Sequence, residues 1–84
     1  MADYERLLEQ MRRSPSSIRF IDLERVCTHY FGQPRLSSGS HVIFKTPWIG
    51  NPRINIQNFH GKAKPYQVRQ TLLAIDKLLN QHEH

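Results

Sequence analysis

The sequence predicts a single α+β domain in which an antiparallel sheet has helices packed on one of its faces. Apolar residues recur at helical spacing in three segments, and they alternate with polar residues in two segments that lie between the second helix and the third. The chain has 84 residues, which is enough for one small domain. We therefore expect the order α-α-β-β-β-α, with residues 1–84 forming one domain.

Three helices are expected from the apolar spacing. The first, at about 3–12, ends before Pro15, because the residue that precedes a proline disfavours the α region. The second spans about 20–31, and Gly32 is placed to end it. The third begins near Pro65, which suits the first helical turn. Its apolar stripe consists of Val68, Leu72, Ile75 and Leu79.

Two strands are indicated by alternation, in "HVIFKT" (41–46) and "RINIQN" (53–58), with a turn at 46–52 between them. An earlier short strand around 34–37 would complete a three-stranded meander. The apolar set that should face the helices is Val42, Phe44, Ile54 and Ile56. The opposite face would carry His41, Ile43, Lys45, Arg53, Asn55 and Gln57, and no segment of the sequence is left to cover it.

The positive charge is concentrated in the middle of the chain. The formal net charge is +5, yet the first 31 residues balance their acidic and basic side chains. From Gly32 to Lys64 there is no Asp or Glu, so the excess is found there. A small basic domain of this kind suggests a polyanion or an acidic protein as partner. The basic residues of this region are Arg35, Lys45, Arg53, Lys62 and Lys64.

Composition also indicates where the protein works. No apolar run approaches 18 residues and the N-terminus lacks an apolar signal core, so we expect neither a membrane span nor secretion. The single Cys27 cannot form an internal disulfide or a cysteine zinc cluster, and its apolar helical setting favours a buried small residue. A reducing cytoplasm fits these features.

His41 is the first candidate for chemistry. An imidazole can both take and give a proton, and RNA carries its own nucleophile in the ribose 2′-hydroxyl. A general base or acid together with cations could therefore cleave RNA without a metal, and Lys45 and Arg53 lie on the same expected face to hold the phosphate. Gly39 and Ser40 would let a phosphate approach closely. Spacing alone favours the simpler alternative, an exposed histidine at the start of a strand.

A second basic segment, "NFHGKAKP", precedes the last helix. Lys62, Lys64 and the helix N-terminus could bind phosphate, and His60 could be a second acid or base. The alternative is a solvated turn in which Gly61 takes a positive φ. No metal site is expected, because no H-x-x-x-H, C-x-x-C or carboxylate pair stands near His41. Trp48 and Tyr66 are the aromatic residues outside the expected core that could stack on a base.

Three segments together resemble the HicA family of bacterial toxins. "IRFIDLERVCTHYFG" is similar to the first family helix, "GSHVIFK" to the motif strand, and "KPYQVRQTLLAI" to the closing helix, so the resemblance runs from about Ile18 to Leu79. It departs from the family in the extra helix at 3–12, in "FGQPRLSS" at the first strand, and in a longer closing helix.

The resemblance implies a fold like that of double-stranded RNA-binding domains and the activity of an mRNA interferase in a toxin–antitoxin pair. It places the functional histidine on His41, with Gly39 and Ser40 as its turn, and gives Lys62 and Lys64 a supporting role in RNA binding. It also implies a HicB-type antitoxin as partner, and no cofactor.

The sequence therefore predicts a metal-independent endoribonuclease that uses His41 as general acid or base. Lys45 and Arg53 would hold the scissile phosphate, while Lys62, Lys64 and Arg35 would attract the RNA electrostatically. The alternative is a module that binds RNA or a protein through the same basic face without cleaving anything. A structural adaptor that docks an acidic partner is a third possibility.

Overall fold

The structure is a computed structural model, and it describes residues 2–50 and 52–81. Asn51 of the expected turn and the terminal residues 82–84 lie outside the described residues. The helices are α1 (Ala2–Arg13), α2 (Phe20–Phe31) and α3 (Pro65–Gln81), with a 3₁₀ turn at Pro15–Ser17. The strands are β1 (Leu36–Ser38), β2 (His41–Lys45), β3 (Arg53–Phe59) and β4 (Lys62–Ala63).

The sheet is antiparallel throughout, with the strand order β1-β2-β3-β4. The predicted α+β class, the three helices and the meander are confirmed, and the short β4 is an addition that the sequence did not predict. The first strand begins at residue 36 instead of 34, because Pro34 has no N–H to donate to a ladder. One residue before β1, the Arg35 N–H donates a hydrogen bond of 2.8 Å to the Ile43 carbonyl of β2.

The register of β2 against β3 sets the core. Val42 lies opposite Ile56 and Phe44 lies opposite Ile54, and all four side chains are buried, as the alternation predicted. They form one core with apolar residues of α2 and α3. Those residues are Phe20, Leu23, Val26 and Cys27 from α2, and Val68, Leu72 and Ile75 from α3. Leu79 was expected in the same stripe, but it is 40% exposed because it falls in the last turn of α3, beyond the buried part of the helix.

The extra N-terminal helix is part of the core. Helix α1 packs against α2 and α3, and its Leu8 and Met11 are buried. Arg12 donates two hydrogen bonds to Asp76 of α3, at 3.0 and 2.6 Å. This guanidinium holds the pKa of the Asp76 carboxyl below its usual range. Because both side chains are partly exposed, we expect the pair to contribute no more than about 1 kcal/mol, so the buried apolar residues carry most of the attachment.

Helix length and composition also bear on membranes. In the ranges 2–50 and 52–81, none of the helices is both long enough and apolar enough to cross a bilayer.

Cys27 is completely buried in α2, and its thiol should be protected in the native state. Burial raises the pKa of the thiol to about 12, so at neutral pH it is protonated as well as shielded. We expect a disulfide reagent such as Ellman's reagent to label the native protein orders of magnitude more slowly than the protein in guanidinium chloride. Equal labelling rates in the two conditions would contradict the burial of this helix face.

Candidate functional site

One face of the sheet is turned away from the helices, and we call it the open face. Its side chains are exposed or partly exposed, whereas their neighbours in β2 and β3 are buried. The pairing of Phe59 with Lys62 extends the same face onto β4. The open face consists of His41, Ile43, Lys45, Arg53, Asn55, Gln57, Phe59 and Lys62.

A two-residue turn delivers His41 to the open face. Ser38 pairs with His41, so Gly39 and Ser40 alone connect β1 to β2. Gly39 has φ +59°, the conformation that a type II′ turn needs at its first central residue. The Ser40 carbonyl accepts a hydrogen bond from Asn58 N–H at 2.9 Å, which fastens the turn to β3. The imidazole therefore stands exposed at the first position of a strand that is held on both sides.

Asn55 is positioned to orient the imidazole. Its Oδ1 lies 3.5 Å from His41 Nδ1, at the outer limit of a hydrogen bond. An amide oxygen can only accept, so with the amide in this orientation the contact is compatible with the tautomer that carries its proton on Nδ1. The other ring nitrogen, Nε2, is then the one that can accept a proton from a substrate. Sequence reasoning placed Asn55 on this face but gave it no role.

Lys45 and Arg53 lie directly opposite each other at the far end of the open face. Both are exposed, and like charges in a cross-strand pair destabilise a sheet. At about 3.3 Å per residue, this pair is about 13 Å from His41 along β2. Arg35 lines a cleft of 340 Å³ together with Lys45. The structure thus pairs Lys45 with Arg53 at the end of the open face away from the histidine, while Arg35 adjoins Lys45 in the cleft.

The remaining predicted cations lie at the histidine's end of the sheet. Lys62 is exposed on β4, and the Lys64 ammonium lies 5.8 Å from the centre of the Phe59 ring. His60 and Gly61 form the turn between β3 and β4 with φ of +54° and +84°, the pattern of a type I′ turn. The positive φ predicted for Gly61 is confirmed. His60 lies three residues beyond Gln57, the residue opposite His41, which is about 10 Å along the strand.

Phe59 is the functional candidate that the sequence did not reveal. It is 56% exposed on the open face, and it lies diagonally across from His41. The predicted strand stopped at residue 58, whereas β3 continues through Phe59. The alternating pattern could have placed Phe59 on the open face, because residues 53, 55, 57 and 59 lie on one face when the strand is extended to residue 59.

The two aromatic residues that were considered for base stacking differ in their surroundings. Trp48 is half-buried in the loop after β2, with Phe31 at 6.4 Å and the Lys77 ammonium 4.4 Å from its ring centre. This is the loop-anchor alternative for Trp48, since its half-buried ring packs against Phe31 and Lys77. Tyr66 is 52% exposed in the first turn of α3, where its hydroxyl accepts a hydrogen bond from Gln67 Nε2 at 3.3 Å.

Gln67 ties the open face to the helix that follows it. This residue is buried, and its Oε1 accepts the Gln57 N–H of β3 at 2.8 Å. Strand β4 is too short to reach that N–H, so the side chain replaces the missing ladder bond. The bond fixes the start of α3 against the strand that carries Asn55 and Phe59.

Two further comparisons, with metal-binding sites and with known proteins, do not identify a function. Within the part of the chain that the structure describes, no group of three His, Cys, Asp or Glu side chains could hold a metal ion. No family model matches the chain, and searches of curated proteins and of solved structures likewise find no match. The residues of the open face are therefore the basis for assigning a function.

The opposed cations should cost stability. Lys45→Gln should raise the free energy of unfolding by about 0.2–1 kcal/mol at low ionic strength, because it removes a like-charge pair. The gain should shrink as salt is added. Denaturant unfolding at two salt concentrations measures both effects.

The control is Arg69→Gln, which removes the same charge from an exposed position on α3. It should change stability less than Lys45→Gln does. Equal gains from the two variants would show that net charge, and not the cross-strand pair, is responsible.

Proposed function

We propose that this protein is a metal-independent endoribonuclease and that the open face is its active surface. The observation that carries the proposal is the placement of His41, exposed on a cationic sheet face with its Nδ1 3.5 Å from Asn55 Oδ1. A base oriented by a third group is the arrangement that proton transfer requires. The cations supply attraction for a phosphate backbone.

The chemistry follows from what RNA provides. Nε2 of His41 accepts the proton of a ribose 2′-hydroxyl, and the 2′ oxygen attacks the adjacent phosphorus. The bond from phosphorus to the 5′ oxygen breaks, and that oxygen must gain a proton to leave. His60, in the turn after β3, stands about 10 Å along the strand from the residue opposite His41, so it can supply that second proton only through intervening water. Lys62 lies on the open face at the histidine's end of the sheet but two strands from His41, so it lowers the negative potential near the reacting phosphate from a distance.

Lys45 and Arg53 were expected to hold the scissile phosphate, but we assign them another role. At about 13 Å along the strand they are too far from His41 to share one phosphate with it without long side-chain extension. We assign them, with Arg35, to a neighbouring phosphate of the same RNA strand. An anion between the opposed pair would also relieve their repulsion.

The biological role that we propose is that of a HicA-type toxin, an mRNA interferase held inactive by a HicB-type antitoxin. Its support is the order α2-β1-β2-β3-β4-α3, with a Gly-Ser-His turn opening β2; apart from the short β4, this is the order of the dsRBD-like plan implied by the family resemblance. An antitoxin that covers the open face would block the histidine and the cations together. We place this action in the cytoplasm, where mRNA is available.

A second candidate function is RNA binding without cleavage. The separation of His41 from the Lys45–Arg53 pair favours it, because cations arranged along a strand suit a backbone more than a single phosphate. The two candidates differ in one result: a binding module leaves RNA intact.

His41→Ala tests the proposal. It should abolish RNA cleavage and growth inhibition, because the base is removed, while the melting temperature stays nearly unchanged because the side chain is exposed. A gel assay with purified protein in the presence of a chelator measures cleavage without metal, and thermal unfolding measures stability.

The matched control is His29→Ala, which removes an exposed histidine from α2 instead of the sheet. This control should cleave at the wild-type rate. Undiminished cleavage by the His41 variant would refute the assignment, and intact RNA with the wild-type protein would favour the binding module.

A further inference from the structure

Phe59 is exposed in a way that packing does not explain. Phe44, on the other face of the sheet, is fully buried, whereas Phe59 leaves 56% of its surface in water. Its ring has His60 edge-on at 4.6 Å and the Lys64 ammonium at 5.8 Å, and both neighbours are polar. An exposed aromatic ring at the end of a strand, beside an ammonium group and an imidazole, suits a flat ligand that carries negative charge.

The ring is close to the proposed catalytic histidine. His41 pairs with Gln57, and Phe59 is the next residue of β3 on the same face. Diagonal neighbours in an antiparallel pair have Cα atoms about 7–8 Å apart. Lys62 lies directly opposite Phe59 on β4. A phosphate near His41 and Lys62 would therefore place an attached base within reach of the Phe59 ring.

We propose that Phe59 is a base-stacking platform and that the substrate is single-stranded RNA, with an unpaired base next to the bond that is cleaved. The inference deepens the proposed function and rests on it. A duplex conceals the faces of its bases by stacking, so only an unpaired base can lie on the ring. Stacking tolerates any base, because every base has a π face, so Phe59 supplies affinity and position more than sequence preference.

The side chains around Phe59 favour RNA over a protein as the partner that contacts its ring. Protein contacts centre on contiguous apolar surface, with charged residues depleted at the centre. On the open face the nearest positions to Phe59 are His41, Gln57 and Lys62, which are all polar. This mixture of one aromatic ring with cations and hydrogen-bonding groups is the composition of single-stranded nucleic-acid surfaces.

The test measures binding in a His41→Ala background, where the proposed chemistry is removed and RNA stays intact. Fluorescence anisotropy gives the dissociation constant of a labelled oligoribonucleotide, both single-stranded and annealed to its complement, at one salt concentration. Phe59→Leu keeps an apolar side chain but removes the π face. It should weaken single-strand binding by about 5- to 150-fold and leave duplex binding unchanged. Phe59→Trp should restore single-strand affinity.

The control is Leu73→Ala, which removes an exposed apolar side chain from α3 and should leave both affinities unchanged. Unchanged single-strand affinity in Phe59→Leu would overturn the inference and leave the ring to a protein contact. An equal loss for both RNAs would also overturn it.

These results separate the inference from the proposed function. If the wild-type protein fails to cleave RNA but Phe59→Leu loses single-strand affinity selectively, the ribonuclease proposal falls and the stacking platform remains. If the wild-type protein neither cleaves nor binds either RNA, both are overturned.

Discussion

The pairing of Val42 with Ile56 and of Phe44 with Ile54 is the constraint on which the rest of the structure depends. These four side chains are buried between the sheet and the helices, and they allow one register of β2 against β3. A slip of one residue would turn every side chain of a strand to the other face, burying His41 and exposing the core. The composition of the open face is therefore a consequence of how the core is packed.

The open face has three features that do not stabilise the fold. Lys45 opposes Arg53, a phenylalanine faces water, and a histidine opens a strand in a turn that requires a positive φ at Gly39. Each is unfavourable or neutral for folding, but together they supply cations, a flat ring and a proton acceptor on one surface. A phosphate backbone with unpaired bases would use all three. The buried core and the attachment of α1 by Leu8 and Met11 supply the stability that this surface does not.

The sequence predicted those features of the fold that depend on local residue patterns. Gly32 and Pro65 mark the helix ends that the structure has, and alternation around Val42 placed both faces of β2 correctly. It did not predict β4, because two residues carry no measurable period. The exposure of Phe59 was also missed, since an aromatic residue beside a strand is ordinarily assigned to the core. The pairing of Lys45 with Arg53 could not be predicted, because it depends on the register of β2 against β3. That register is set by the buried side-chain pairs of the folded protein.

An NMR titration of ¹⁵N-labelled His41→Ala protein with single-stranded RNA tests most directly whether the open face is the RNA-binding surface. We predict that the amide shifts cluster at 41–45, 53–59 and 62, and that they weaken together as salt is added. Amides of α1, which packs on the helices and not on the open face, should stay unchanged. Shifts concentrated in α1 and α3, with β2 and β3 silent, would contradict the assignment of this surface.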